Sequence, residues 1–145
     1  MYLKSILLAF SLFLGATSLW AQEAQATLTL TITGVKSTKG NLCIALYNSK
    51  ETFLDTKKVF KTVDLPLKGL DLSKIKIADI PYGTYSIAVF VDGNTNKKLD
   101  TNFLGIPKEA YGFSAAKLPK FRAPTFEEVA FPVKTKEKHL TITVK

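Results

Sequence analysis

From Thr27 to Thr33 the chain reads Thr-Leu-Thr-Leu-Thr-Ile-Thr, and Leu140, Ile142 and Val144 repeat the alternation near the other end. A period of two puts every aliphatic side chain on one face of an extended strand; on a helix the same residues would scatter around the axis. Both segments therefore read as half-buried antiparallel strands. Two further runs, Leu42–Tyr47 and Tyr85–Val91, are apolar at nearly every position and read as central strands covered on both faces. Weaker strands are expected at Lys58–Leu65, Lys74–Ile80 and Glu127–Val133, with a turn or two of helix as an alternative over Lys50–Lys57. Turn chemistry separates them, from Gly34 to Gly40, from Pro66 to Gly69, and at Pro81-Tyr82-Gly83. About seven short strands punctuated in this way make an all-β sandwich the expected architecture.

The first 21 residues do not belong to that pattern. Met1 to Lys4 is a short positive region, the stretch from Ser5 to Ala16 is apolar, and small residues follow up to Ala21. This is the layout of a cleaved signal peptide, and the apolar stretch falls short of the roughly 20 residues a membrane span requires. The chain is thus expected to be exported to the periplasm or the cell exterior. Residues 22–145 would form one β-sandwich domain with no transmembrane segment. About 124 residues is an ordinary domain size and can bury a core without disulfides.

The formal charge is +8, nearly all of it lysine, since Arg122 is the sole arginine. The lysines are scattered, with no basic helix and no RNA-binding aromatic motif beside them, so nucleic acid is not an expected partner. Cys43 is the only cysteine and lies within an apolar run, which suits a buried small hydrophobe. The only histidine, His139, opens the last strand, and nothing in the sequence couples it to Cys43 as a nucleophile–base pair.

Between Asp92 and Pro124 the alternation fades, and long irregular stretches in a compact domain are often functional. Asp92, Asn94, Asn96 and Asp100 fall at positions 1, 3, 5 and 9 of a loop that leaves a central strand. This is the spacing with which one loop wraps a hard cation, and Lys98, at position 7, would contribute its backbone carbonyl. Calcium is the cofactor this pattern points to. The glycine and the glutamate that an EF-hand carries at positions 6 and 12 are here Lys97 and Phe103, so Glu109 is the candidate distal carboxylate. The competing reading is that the Asp and Asn side chains only form Asx-turns.

Downstream runs Gly105-Ile106-Pro107-Lys108-Glu109-Ala110-Tyr111-Gly112-Phe113-Ser114. With the Asp92–Asp100 loop, with Gly40-Asn41-Leu42, with Pro81-Tyr82-Gly83-Thr84-Tyr85 and with Thr125-Phe126, it resembles the secreted domain-of-unknown-function family 2141. The resemblance spans the mature chain and implies no activity. The chain departs from the family pattern at Gly93 and Lys97, where acidic or Asn residues and a second glycine are usual. The segment from Ile80 to Tyr85 is also similar to a turn of transthyretin-like (prealbumin-type) and immunoglobulin-like sandwiches, in which proline fixes φ and glycine permits a positive one.

Phe103, Leu104, Ile106, Tyr111 and Phe113 form an apolar stripe. One reading folds it back to cap the end of the core. The other makes it a binding surface for a peptide, glycan or lipid, with Tyr111 and Phe113 as platforms. The expectation that follows is an exported binding or structural module, its loop stabilised by calcium, for an unidentified protein, peptide or glycan partner. The alternatives are a small hydrolase using Glu109 with Asp92 or Asp100, and a subunit that lends an uncovered strand, Thr27–Thr33 or Leu140–Val144, to another protein.

Overall fold

The computed structural model describes residues 24–115, 117–120 and 122–145. The expected leader, residues 1–21, lies outside the described residues. Among the described residues, eight strands and one helical turn follow in order: β1 (Gln25–Thr33), β2 (Asn41–Tyr47), β3 (Lys61–Pro66), β4 (Ile75–Pro81), β5 (Gly83–Asp92), β6 (Tyr111–Phe113), α1 (Phe126–Val129), β7 (Phe131–Val133) and β8 (Glu137–Thr143). They form two sheets. The smaller has the order β4-β1-β8; the larger has the order β3-β2-β5-β6, with β7 also pairing β5. The chain is all-β, as the alternation requires, and among the described residues no helix is long and apolar enough to cross a membrane.

In β1 the expected alternation is realised: Leu28 and Leu30 are fully buried and Ile32 nearly so, with the threonines on the other face. Across the shared core they meet Leu42, Ile44 and Leu46 of β2 and Ile87 and Val89 of β5. Strands β2 and β5 are interior to the larger sheet, and their outward-facing Cys43, Tyr47 and Ser86 are buried as well. The expectation of strands covered on both faces holds for these positions.

Three expectations are corrected. Strand β1 pairs antiparallel with β4, as expected, but β8 runs parallel to β1, with Leu30 opposite Leu140 and Ile32 opposite Ile142. A parallel pair needs a long crossover, and here the rest of the domain, lying between the two strands in sequence, supplies it. The segment Glu127–Val133 is not one strand. It opens with α1, where Glu128 accepts the Thr125 backbone amide at 2.8 Å, and becomes β7 only at Phe131. The capping signature Thr-x-x-Glu stands in the sequence and outweighs the apolar pattern of the segment. Residues 50–57 form turns rather than a helix.

Strands β4 and β5 belong to different sheets, so the chain changes layers at Pro81-Tyr82-Gly83. The Tyr85 hydroxyl donates to the Pro81 carbonyl at 2.8 Å and fixes this corner. The fold thereby sends β5 through the middle of the larger sheet and delivers Asp92 to its end, where the irregular region begins.

Candidate functional site

Asp92 ends β5 with no exposed surface. Its Oδ1 accepts the Asn96 amide at 3.2 Å and its Oδ2 the Lys97 amide at 2.7 Å. Asn94 and Asn96 each donate a side-chain amide to Asp100, at 2.7 and 3.0 Å. The Asn94 and Asn96 side-chain oxygens in turn accept the backbone amides of Asn96 and Lys98. Glu109 reaches back across the loop: one oxygen accepts the Gly93 amide at 2.9 Å and the other the Asp100 amide at 3.0 Å. The fold therefore brings Asp92, Asn94, Asn96, Asp100 and Glu109 together, with Lys98 joined to them through its amide, and the side-chain oxygens of these five residues accept amide donors of the loop itself. Among the described residues, no group of three or more His, Cys, Asp or Glu side chains is arranged to hold a metal ion.

Lys97 adopts φ 62° and Thr95 φ 60°, both left-handed. Such a conformation costs an L-residue roughly 1–2 kcal/mol and is ordinarily left to glycine or asparagine. Lys97 stands at position 6 of the loop, where a calcium loop has glycine. The loop keeps that backbone turn without the glycine, because Asp92 holds the Lys97 amide in place.

The carboxylate pairs considered for hydrolysis have the wrong surroundings for it. A glycosidase acid pair needs oxygens that face the sugar and a water molecule. Here both oxygens of Asp92 and both of Glu109 face backbone amides.

The remaining motif residues are also largely architectural. Gly112 lies so close to β8 that an added Cβ would sit 2.5 Å from the Thr143 carbonyl oxygen. At Gly40, where φ is 84°, a Cβ would sit 2.1 Å from the Asp92 carbonyl oxygen. The Ser114 hydroxyl accepts the Ile87 amide and donates to the Val129 carbonyl, tying β5 to the end of α1. Sequence reasoning passed over Gly112 and Ser114 as structural joints, since neither carries a chemical signature outside its tertiary setting.

The apolar stripe divides in two. It does not cap the core: Phe103 is 94% exposed, Leu104 68% and Ile106 55%. Tyr111 and Phe113 lie on β6, with Tyr111 half-buried opposite Phe90 and Phe113 buried opposite Ala88. Phe53 packs against Phe113, Tyr47 and Phe126, with ring centroids 5.4–6.2 Å apart. This cluster covers part of the outer face of the larger sheet, and the rest of that face forms a groove of about 870 Å³. Ala45 and Ala88 stand opposite each other in the β2–β5 register and, being small, leave the trough deep. Phe90 and Tyr111 continue the floor; Leu99, Leu104 and Ile106 form one wall, and Leu118 and Pro119 line it further along the chain.

Lys97, Lys98 and Lys120 also line the groove. So does Arg122, but it is committed to Glu128 by a two-pronged ion pair at 2.7 and 2.8 Å. Cys43 is buried in the floor, and burial above all, with Asp64 beside it, pushes its thiol up to about 12. It is a thiol packed as a hydrophobe rather than a nucleophile.

The family profile of an uncharacterized group of proteins conserved in bacteria, DUF2141, matches residues 30–141. The chain belongs to that family. The matched span contains every strand pair of the larger sheet, the Asp92–Asp100 loop and the groove. No curated protein and no solved structure matches the chain.

Strand lending, the remaining alternative, has little to work with. Strand β1 is the middle strand of its sheet. Strand β8 lies at an edge, but just beyond it Lys145 exchanges backbone hydrogen bonds with Tyr111 of β6.

Proposed function

We propose that this DUF2141 chain is an exported, non-catalytic binding module of immunoglobulin-like or transthyretin-like type. Its ligand would lie in the groove on the outer face of the larger sheet, with Tyr111 and Phe113 on the floor. The observation that carries this reading is the groove itself. A cleft of about 870 Å³ is within the size range of small-molecule sites, and its lining is mainly apolar. With Lys97, Lys98 and Lys120 at its margins, it suits a ligand with an apolar body and an anionic group. The Tyr85–Pro81 hydrogen bond, a tyrosine bonded back to the backbone a few residues upstream, supports the sandwich type. Export is supported by the charged, apolar and small-residue succession of residues 1–21.

Calcium enters the same proposal as a stabiliser of the loop. Asp92, Asn94, Asn96, Asp100 and Glu109 would supply side-chain oxygens, and Lys98 its carbonyl. What supports it is the left-handed turn at Lys97 and the gathering of Asn94, Asn96 and Glu109 about Asp100. A cation would compete with the amides for these oxygens, so affinity belongs in the weak extracellular range of about 10⁻⁴–10⁻³ M.

The groove is tested with an anionic naphthalene sulfonate dye, whose fluorescence rises in apolar surroundings, and with Ala88→Leu. Ala88 faces out of the sheet, so leucine there fills the trough without entering the core. The folded wild type is expected to bind the dye at one site. Ala88→Leu is expected to lose at least about tenfold in affinity, the order of one buried apolar contact set, at an unchanged melting temperature. Equal binding by both proteins would remove the groove as the site.

A further inference from the structure

Phe103 is exposed and does not line the groove, so the groove does not explain it. It forms with Leu104 and Ile106 an exposed apolar tip on the hairpin of residues 101–107. Such a tip is not a consequence of slack chain. Thr101 and Pro107 form a β-bridge, and the Asn102 amide donates to the Ile106 carbonyl at 2.8 Å. The Asn102 side-chain oxygen accepts both the Leu104 and the Ile106 amides, at 2.9 and 3.0 Å, and Gly105 turns the chain with φ 78°. The hairpin is thus held in a shape that presents three large apolar side chains to solvent. Soluble surfaces rarely display such a group without a binding purpose.

The charges around the tip have a definite arrangement. Lys97, Lys98 and Lys108 are exposed. The acids of the same region are turned inward: Asp92 is buried, Asp100 and Glu109 are partly buried, and their oxygens take amide hydrogens. The exposed side chains of the region therefore combine three large apolar groups with three lysines close in sequence.

We propose that this hairpin docks the protein on an anionic phospholipid surface, with Phe103 and Leu104 entering the interface and Lys97, Lys98 and Lys108 facing the headgroups. Aromatic and aliphatic side chains favour that boundary, and a lysine near an anionic membrane contributes about 1 kcal/mol. A protein partner would have to offer an acidic rim around an apolar socket. A bilayer supplies both chemistries to a tip of any orientation, which is why the lipid surface is the occupant proposed. Lys97, Lys98 and Leu104 also line the groove, whereas Phe103 and Lys108 do not, so variants at these two positions separate the docking from groove binding.

The test is co-sedimentation of the protein recovered from an exporting host with vesicles of phosphatidylcholine alone or mixed with phosphatidylglycerol. Binding is expected to the mixed vesicles and to be weakened by salt. The variant Phe103→Asp should abolish it while leaving the melting temperature and the dye binding in the groove unchanged, since Phe103 does not line the groove. Lys108→Ser should weaken it about fivefold, the equivalent of one lysine near an anionic surface. A second readout places a tryptophan on the tip: Trp20 is the only one in the sequence and lies in the expected leader, so Phe103→Trp reports alone once that leader is gone. Its emission should shift to the blue on mixed vesicles only. Absence of binding to mixed vesicles, or equal binding by Phe103→Asp, would overturn the proposal. So would self-association through the tip, abolished by the same variant, in protein that ignores vesicles.

Discussion

Asp92 and Lys97 show how one side chain governs a loop. Asp92 is buried at the strand end and stays satisfied by accepting two amides, one of which belongs to Lys97 in its left-handed conformation. Removing the carboxylate frees both amides and the strain they hold. Asp92→Ala is therefore expected to destabilise the protein by about 1–3 kcal/mol, the range for orphaned donors, in urea unfolding. Lys97→Gly should act in the opposite direction. It relieves a conformation costing about 1–2 kcal/mol and gives back about 0.4–1 kcal/mol to the unfolded chain, leaving a small net gain. A loss of stability on Lys97→Gly would show that the lysine side chain holds a contact worth more than the strain. The Asx-turn reading and the cation reading drew on these same residues in the sequence. Their side chains were legible as a cluster, but the identity of their partners was not, because backbone amides leave no mark on residue choice.

At the scale of elements, the helical turn α1 was hidden within what looked like a strand. It is four residues long and depends on Glu128, which receives the Arg122 guanidinium and the Thr125 amide. These contacts, the Arg122 hydrogen bond first, hold the Glu128 carboxyl down at about 2. A lowered folded value means that the carboxylate stabilises the fold at neutral pH and that this contribution fades as pH falls from the ordinary carboxylate range through about 2. Glu128→Gln should accordingly lower the melting temperature at neutral pH, and its difference from wild type should narrow progressively as pH falls across that range. A difference independent of pH would assign the role of Glu128 to packing. The exposed position of the pair keeps the effect modest. Strand β6 is the other short element that matters: three residues bring Tyr111 and Phe113 onto the sheet, Gly112 against β8, and the chain toward the Ser114 joint.

For the whole molecule, a ligand that binds only the folded loop raises the stability of the entire domain. At millimolar calcium, about ten to a hundred times the proposed dissociation constant at its tight end, the gain is roughly 1.4–2.7 kcal/mol. For a domain of this size it should appear as a rise of several degrees in melting temperature against chelator. Asp100→Asn should remove the rise. No change with calcium in wild type would confine the loop to its hydrogen-bonded role. The groove and the tip would be unaffected by that result, since neither depends on the cation.

The sequence by itself determined the all-β character, the buried faces of β1, β2 and β5, the membership of a family, and the residues that converge at the end of β5. Family membership rests on the likeness of its motifs; the others follow from short-range rules: a period of two, uninterrupted apolar runs, and oxygen side chains at loop spacing. The parallel pairing of β1 with β8 was not legible, because alternation specifies which face is buried and is silent on strand direction. Nor was the fate of the apolar stripe. Phe103, Leu104, Ile106, Tyr111 and Phe113 are alike in the sequence, yet the hairpin held by Asn102 turns the first three outward, while β6 pairing sets Tyr111 into the floor of the groove and buries Phe113 against Phe53. Only tertiary structure could divide them, since burial depends on what the rest of the chain places opposite each side chain.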